Sequence, residues 1–189
     1  MSRYTNYLAK NIKNAKKEII MIHHIIGSAM GPILKPALIC HIVNDIGRWG
    51  SGFVIAVSAI NKNPEIAYRS WYEEKQKTGE LLPLGNTQIA PIDTEVSVCN
   101  MVAQHDIRVI DGVSPIRYDA LEQCLDYVNK LAVACKRTLH MPRIGAVRSG
   151  GDWATIEAMI RKAAKVETYI YTLEAEKNMW DTVYENEVI

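Results

Sequence analysis

Two carboxylates and an amide stand where the backbone of this chain is best suited to meet a ligand. Asn44 and Asp45 open the run Asn-Asp-Ile-Gly-Arg-Trp-Gly-Ser-Gly-Phe53, with glycines at 47, 50 and 52. Glycine lets a chain approach a ligand closely or take a positive φ. Asp152 closes a second run of the same character, Met-Pro-Arg-Ile-Gly-Ala-Val-Arg-Ser-Gly-Gly-Asp152, which passes straight into Trp153. A strand that breaks into such a loop and then a helix aims backbone N–H groups and a helix N-terminus at one point, which suits a phosphate or diphosphate. Asn44 can donate to a ribose hydroxyl or cap a turn. Asp45 can act as a general base, hold a water or form an Asx-turn. Asp152 sits where an N-cap belongs, and capping is compatible with a place beside a ligand.

Other chemistries fail on spacing. Gly50-Ser51-Gly52 is not a nucleophile elbow, because Trp49 occupies the position of the first glycine. There is neither a Walker loop nor a dinucleotide fingerprint. His23, His24, His41, His105 and His140 are scattered without ligand spacing, and His24, His41 and His140 read as core or edge histidines. Cys40, Cys99, Cys124 and Cys135 show no CxxC and lie in apolar runs, so reduced, buried thiols are expected, with no metal and no cofactor. Trp49, Phe53 and Trp153 are able to stack on a ribose or adenine, although core packing is the commoner use of such rings.

The elements that must position these residues follow from the apolar periods. Glu18 to Ile26, Ala37 to Val43, Thr87 to Ile92, Val96 to Val102, Arg137 to Met141 and Glu167 to Leu173 read as strands. Residues 1 to 17 read as a short N-terminal helix, and the polar tail after Leu173 as helical. Phe53 to Ile60 is apolar nearly all round and reads as a buried helix. Asn63-Pro64 starts a helix through Trp71, and Ser114-Pro115 repeats that cap-plus-proline start. Leu121, Leu125, Val128 and Ala132 then share one helical face, and Asp152 caps the helix carrying Ile156 and Ile160. Strands alternating with helices imply an α/β domain around a largely parallel sheet. Ligands in such sheets bind outside the carboxyl ends of the strands. The loops at Gly27, at Asn44 to Gly52 and at Gly145 to Asp152 are therefore expected to converge.

Bulk properties bound the partners. The 189 residues, 48% hydrophobic, are expected to form one domain over 1–189 with a core of about 18–173. Twenty-two basic against 21 acidic residues leave a net charge of +1, which argues against a dedicated nucleic-acid binder. The basic cluster from Lys10 to Lys17 reads as a solvated helix face. No apolar run approaches a membrane span and no signal-peptide pattern opens the chain, so a cytoplasmic protein without membrane partners is expected. A monomer is the separate expectation for its assembly, on which the residues themselves are silent.

Taken together, His-Ile-Val-Asn-Asp-Ile-Gly-Arg-Trp-Gly-Ser-Gly-Phe53, Met-Pro-Arg-Ile-Gly145 and Gly-Gly-Asp-Trp153 resemble the macro domain family, over roughly residues 18 to 173. Asn-Met-Val-Ala-Gln104 and Pro-Ile-Arg-Tyr118 fit its small stand-alone branch, described as ADP-ribose 1''-phosphate processing proteins. The resemblance implies a three-layer α/β/α sandwich with a mixed sheet. It also implies a small-molecule ligand, ADP-ribose or ADP-ribose 1''-phosphate, and removal of the phosphate. No residue offers a convincing covalent nucleophile, so direct water attack is expected. The diphosphate would lie on Gly145, Ala146, Val147, Arg148, Ser149, Gly150 and Gly151. Gly50, Ser51, Gly52 and Phe53 would close over the distal ribose, Gly27-Ser28 would lie beside the adenine, and Trp49 and Arg143 would complete the ligand-binding set. Asn44, Asp45 and Asp152 would be the catalytic set. Two alternatives stay open: a binding module without turnover, and a hydrolase releasing ADP-ribose from a protein or nucleic-acid target.

The chain also departs from the family pattern. Ser28 stands where many members carry an Asp that accepts from the adenine amino group, and Val147 stands where the phosphate loop usually has glycine. A related branch removes ADP-ribose from glutamate with a lysine and an aspartate. Ser58 and Ser149 occupy those places here, which argues against that mechanism.

Overall fold

The computed structural model describes residues 22–146 and 148–176. The N-terminal helix and basic cluster, the C-terminal tail and Val147 lie outside the described residues. Six strands form one sheet: β1 (Ile22–Ile26), β2 (Ala37–Asn44), β3 (Thr87–Pro91), β4 (Val96–Gln104), β5 (Thr138–Pro142) and β6 (Thr168–Thr172). Their order is β1-β6-β5-β2-β4-β3, parallel throughout except for β3, which runs antiparallel to β4. The antiparallel strand is the edge, so the five parallel strands present their carboxyl ends together. This is the expected mixed, largely parallel sheet.

The central strands explain the layering. All but one residue of β2 and of β4 is buried, as required of strands covered on both faces. Leu38, Cys40, Met101 and Ala103 point to one side, beneath α3 (Tyr118–Cys135) and α4 (Trp153–Ala163). Ile39, Val43, Val98 and Val102 point to the other side, where α1 (Phe53–Ile60) and α2 (Asn63–Gln76) contribute Val54, Val57 and Tyr68. The result is the α/β/α sandwich. His41, at the same parity as Ile39, has Nε2 2.6 Å from Asn100 Oδ1, and the Asn100 amide donates to the Pro64 carbonyl at the start of α2. Burial holds the His41 imidazole down at about 4. His140 is held down to about 4 by the same cause, bonded to Thr138 and Tyr171 and stacked on Tyr169. Both behave as core histidines.

Three elements differ from expectation. α1 is not buried all round: Val54 and Val57 face the sheet, whereas Ile55 and Ile60 are 53% and 62% exposed. A helix lying on one face of a sheet can cover only one stripe. The helix expected from Ser114 starts at Tyr118 instead, because Ile116 forms an antiparallel bridge to Gln104 and donates to the Ser149 carbonyl at 3.2 Å. Its N–H is claimed by tertiary structure before a helix can use it. α2 runs on past Trp71 to Gln76, with Asn63 inside the helix and its N–H capped by the Asn61 side chain at 2.8 Å. Cys40, Cys99 and Cys124 are buried as expected, but Cys135, the last residue of α3, is exposed. Among the described residues, no helix is long and apolar enough to cross a membrane.

Candidate functional site

The loops after β2 and β5 meet above the carboxyl edge of the sheet. A methyl group placed on Gly52 would stand 3.0 Å from Cδ of Arg148, so the two glycine runs touch through that pair. Gly52 has φ +81 and begins α1, whose first turn has no side-chain cap. Its carbonyl accepts from the Ile55 N–H at 3.1 Å. Gly50 and Ser51 are exposed beside it, and Phe53 is half-buried with its ring 5.6 Å from that of His41.

The loop after β5 is closed upon itself. The Gly151 N–H donates to the Gly145 carbonyl at 2.9 Å. Gly145 has φ +73 and lies beneath Ile42, Ile116 and Ile156, each within 3.2 Å of where a Cβ would stand. A side chain there would be strained and crowded at once. Ala146 is half-buried against the α3/α4 core, while Arg148 and Gly150 are exposed. Ser149 is buried, its hydroxyl donating to Gln104 Oε1 at 2.8 Å, so the loop spans from the end of β5 to the end of β4. Arg143 donates from Nε to Thr172 Oγ1 at 2.8 Å, with its guanidinium 4.9 Å from the centre of the Trp153 ring. The Gly27 N–H donates to the Thr172 carbonyl at 2.8 Å, which joins the first loop to this corner through β6. Ser28 is exposed, and its hydroxyl accepts from the Met30 N–H at 3.3 Å.

The three polar residues expected to act on a ligand take different stations. Asn44 folds its own loop: Oδ1 accepts from the N–H groups of Ile46 and Arg48, and Nδ2 donates to the Arg48 carbonyl at 2.7 Å. Tyr68, whose hydroxyl burial pushes up, donates to the Asn44 carbonyl at 2.5 Å. Asp152 is exposed and caps α4, accepting from the Thr155 N–H at 2.8 Å and the Thr155 hydroxyl at 2.6 Å. Those bonds hold its carboxyl below the ordinary range. Trp49 is a core residue, its indole N–H donating to Ser58 Oγ at 2.8 Å and its ring packed near Tyr68, so it offers no stacking face.

Asp45 reaches furthest. It is 2% exposed, with Oδ1 accepting from the Asp106 N–H at 3.0 Å and Oδ2 lying 2.6 Å from His105 Nδ1. Reading the sequence missed His105, because its partner lies 60 residues away and histidine with aspartate at that separation carries no motif. The only available signal was that both residues lie within three positions of the end of an apolar run read as a strand. Arg108 and nearby N–H groups hold the adjoining Asp106 carboxyl down at about 2. Among the described residues, no group of three or more His, Cys, Asp or Glu is arranged to hold a metal ion.

No protein-family model matches the chain. A solved macrodomain protein from Streptomyces coelicolor is 33% identical, with a TM-score of 0.69 over 80% of this chain and 99% of that one. The chain belongs to the macrodomain family. A protein of unknown function from Bacteroides thetaiotaomicron shares the macrodomain fold seen here, with a TM-score of 0.76, 39% identity and coverage of 82% and 99%. Chromodomain-helicase-DNA-binding protein 1-like of Mus musculus is 35% identical over 148 residues. This macrodomain spans only 16% of that protein's length. An Oceanobacillus iheyensis macrodomain mutant solved with ADPR is 13% identical with a TM-score of 0.64, a likeness of fold.

Proposed function

We propose that this macrodomain binds ADP-ribose between its two glycine loops and removes the phosphate from ADP-ribose 1''-phosphate by direct attack of water. The observation that carries the reading is the closure of the Gly145–Gly151 loop against Gly52 through Arg148, above the carboxyl ends of parallel strands. In this reading the amides of Ala146, Arg148, Ser149 and Gly150 and the Arg148 guanidinium hold the diphosphate, where several weak donors acting together suit a diffuse negative charge. The exposed Gly50-Ser51-Gly52 segment and Phe53 close over the distal ribose, with Asn44 fixing the loop that carries them. Gly27-Ser28 borders the adenine. Ser28 already accepts from its own turn, so recognition of the base is expected to be weak. The ADPR held by the distant Oceanobacillus fold supports the ligand class.

A second reading, a binding module without turnover, is favoured by one observation: Asn44, Asp45 and Asp152 are all engaged in internal hydrogen bonds. A phosphorus NMR time course with ADP-ribose 1''-phosphate decides between them. Growth of inorganic phosphate at catalytic protein levels is the expected result. Substrate signals that broaden without phosphate release would favour the binder, or an enzyme for another linkage. Unchanged spectra would sink both.

A further inference from the structure

The catalytic reading needs a group able to take a proton from water. Asp152 accepts from the Thr155 N–H and hydroxyl on Oδ2, and these bonds lower its carboxyl and make it a weaker base, while Asp45 is enclosed with both oxygens engaged. His105 is different. It is the residue after β4, at the same carboxyl edge of the sheet as the two glycine loops. Its neighbour Gln104 holds Ser149 of the phosphate loop, and its own ring is held by Asp45 of the loop after β2. The histidine side chain is 38% exposed, against 3% for the aspartate. Among the described residues, nothing hydrogen-bonds the second ring nitrogen.

We propose that His105 is the catalytic base of this site and Asp45 its positioning residue, an assignment that rests on the phosphatase reading above. A buried carboxylate that accepts Nδ1–H fixes the tautomer, leaves the Nε2 lone pair outward and stabilises the ring when it gains a proton. Water attacks phosphorus as His105 Nε2 takes one of its protons. The new P–O bond forms while the bond from phosphorus to the ribose 1''-oxygen breaks. The proton on Nε2 then passes to the departing oxygen, giving ADP-ribose and inorganic phosphate with the imidazole neutral again. No metal, oxidant or covalent intermediate enters the balance. The Asp106 N–H on the other carboxylate oxygen keeps Asp45 from rotating away.

The test compares wild type, His105→Ala and Asp45→Asn by phosphate release from ADP-ribose 1''-phosphate and by calorimetric titration with ADP-ribose. His105→Ala is expected to lower kcat by about 100-fold or more while ADP-ribose affinity stays within about threefold. Free imidazole added to His105→Ala should restore turnover in proportion to its concentration, with substituted imidazoles ranking by basicity. A merely structural histidine would not produce that ranking. Asp45→Asn should lose kcat rather than KM, because an amide cannot accept from both His105 and the Asp106 N–H, and imidazole should not rescue it. Turnover that survives His105→Ala, or that is lost without any imidazole response, overturns the assignment and leaves the phosphatase reading intact. A wild-type protein that binds ADP-ribose but releases no phosphate overturns both, and the two failures are thereby distinguished.

Discussion

Asp45 and Asp152 lie in or beside the two glycine loops, at the same edge of the sheet, and do opposite things. Asp152 bonds to Thr155, three residues on, and lies in the open. Asp45 bonds to residues 60 and 61 positions away and is almost completely enclosed. The first closes the start of a helix whose N–H groups need an acceptor wherever that helix stands. The second fastens the segment after β4 onto the end of β2, and it exists only once those strands are neighbours. Identical side chains thus serve a local and a global purpose, and their surroundings decide which.

Acid gives the widest test of how enclosure and local bonding differ, because it strikes buried histidines before an exposed helix cap. Burial sets His41 and His140 at about 4, below the 6.5 of an unfolded histidine, so the unfolded chain binds protons more readily in that window. Their contribution is complete above pH 6.5 and is lost as the pH falls toward 4, on the order of 3 kcal/mol for His41 and less for His140. Denaturant midpoints measured from pH 7 to 4 should fall accordingly, and a flat profile would break the account. The Asp152 cap should outlast this window, because its carboxyl is held below the usual range by Thr155.

Removing the long-range carboxylate comes next. Asp45→Ala strands the Asp106 N–H and one side of His105, and should cost about 3 kcal/mol in equilibrium unfolding. Gly145→Ala should cost roughly 2 kcal/mol by the same measurement, from positive φ and contact with three isoleucine methyls. Replacing the local aspartate is the mildest change. Asp152→Ala should lower the melting temperature by roughly 2–4 °C, and Asp152→Asn should recover nearly all of it, since many residues can cap. Asp45→Asn should show no such recovery in the melting temperature. Equal behaviour of the two Asn variants would erase the distinction between the two corners.

Much of the fold was legible because its signals are local. The apolar runs marked all six strands, β-branched runs marked the buried centre, and Asp152 before a 3.6-residue period marked the start of α4. The glycine loops were legible too, since a positive φ at Gly52 and Gly145 is written in the residue type. Places where the reading failed share one cause. Ser114-Pro115 looked like a helix start until Ile116 paired with Gln104, and α1 looked buried until the sheet covered only one side of it. In both cases a distant partner outbid the local preference.

The amino-acid sequence by itself determined the elements, their alternation and the sites of the tight loops, because periodicity, capping and glycine act within a few residues. The tertiary structure alone decided that Arg148 meets Gly52, that Trp49 belongs to the core and that Asp45 holds His105. Hydrogen bonds between residues far apart in the chain depend on strand order, and strand order follows from burying both faces of the sheet at once.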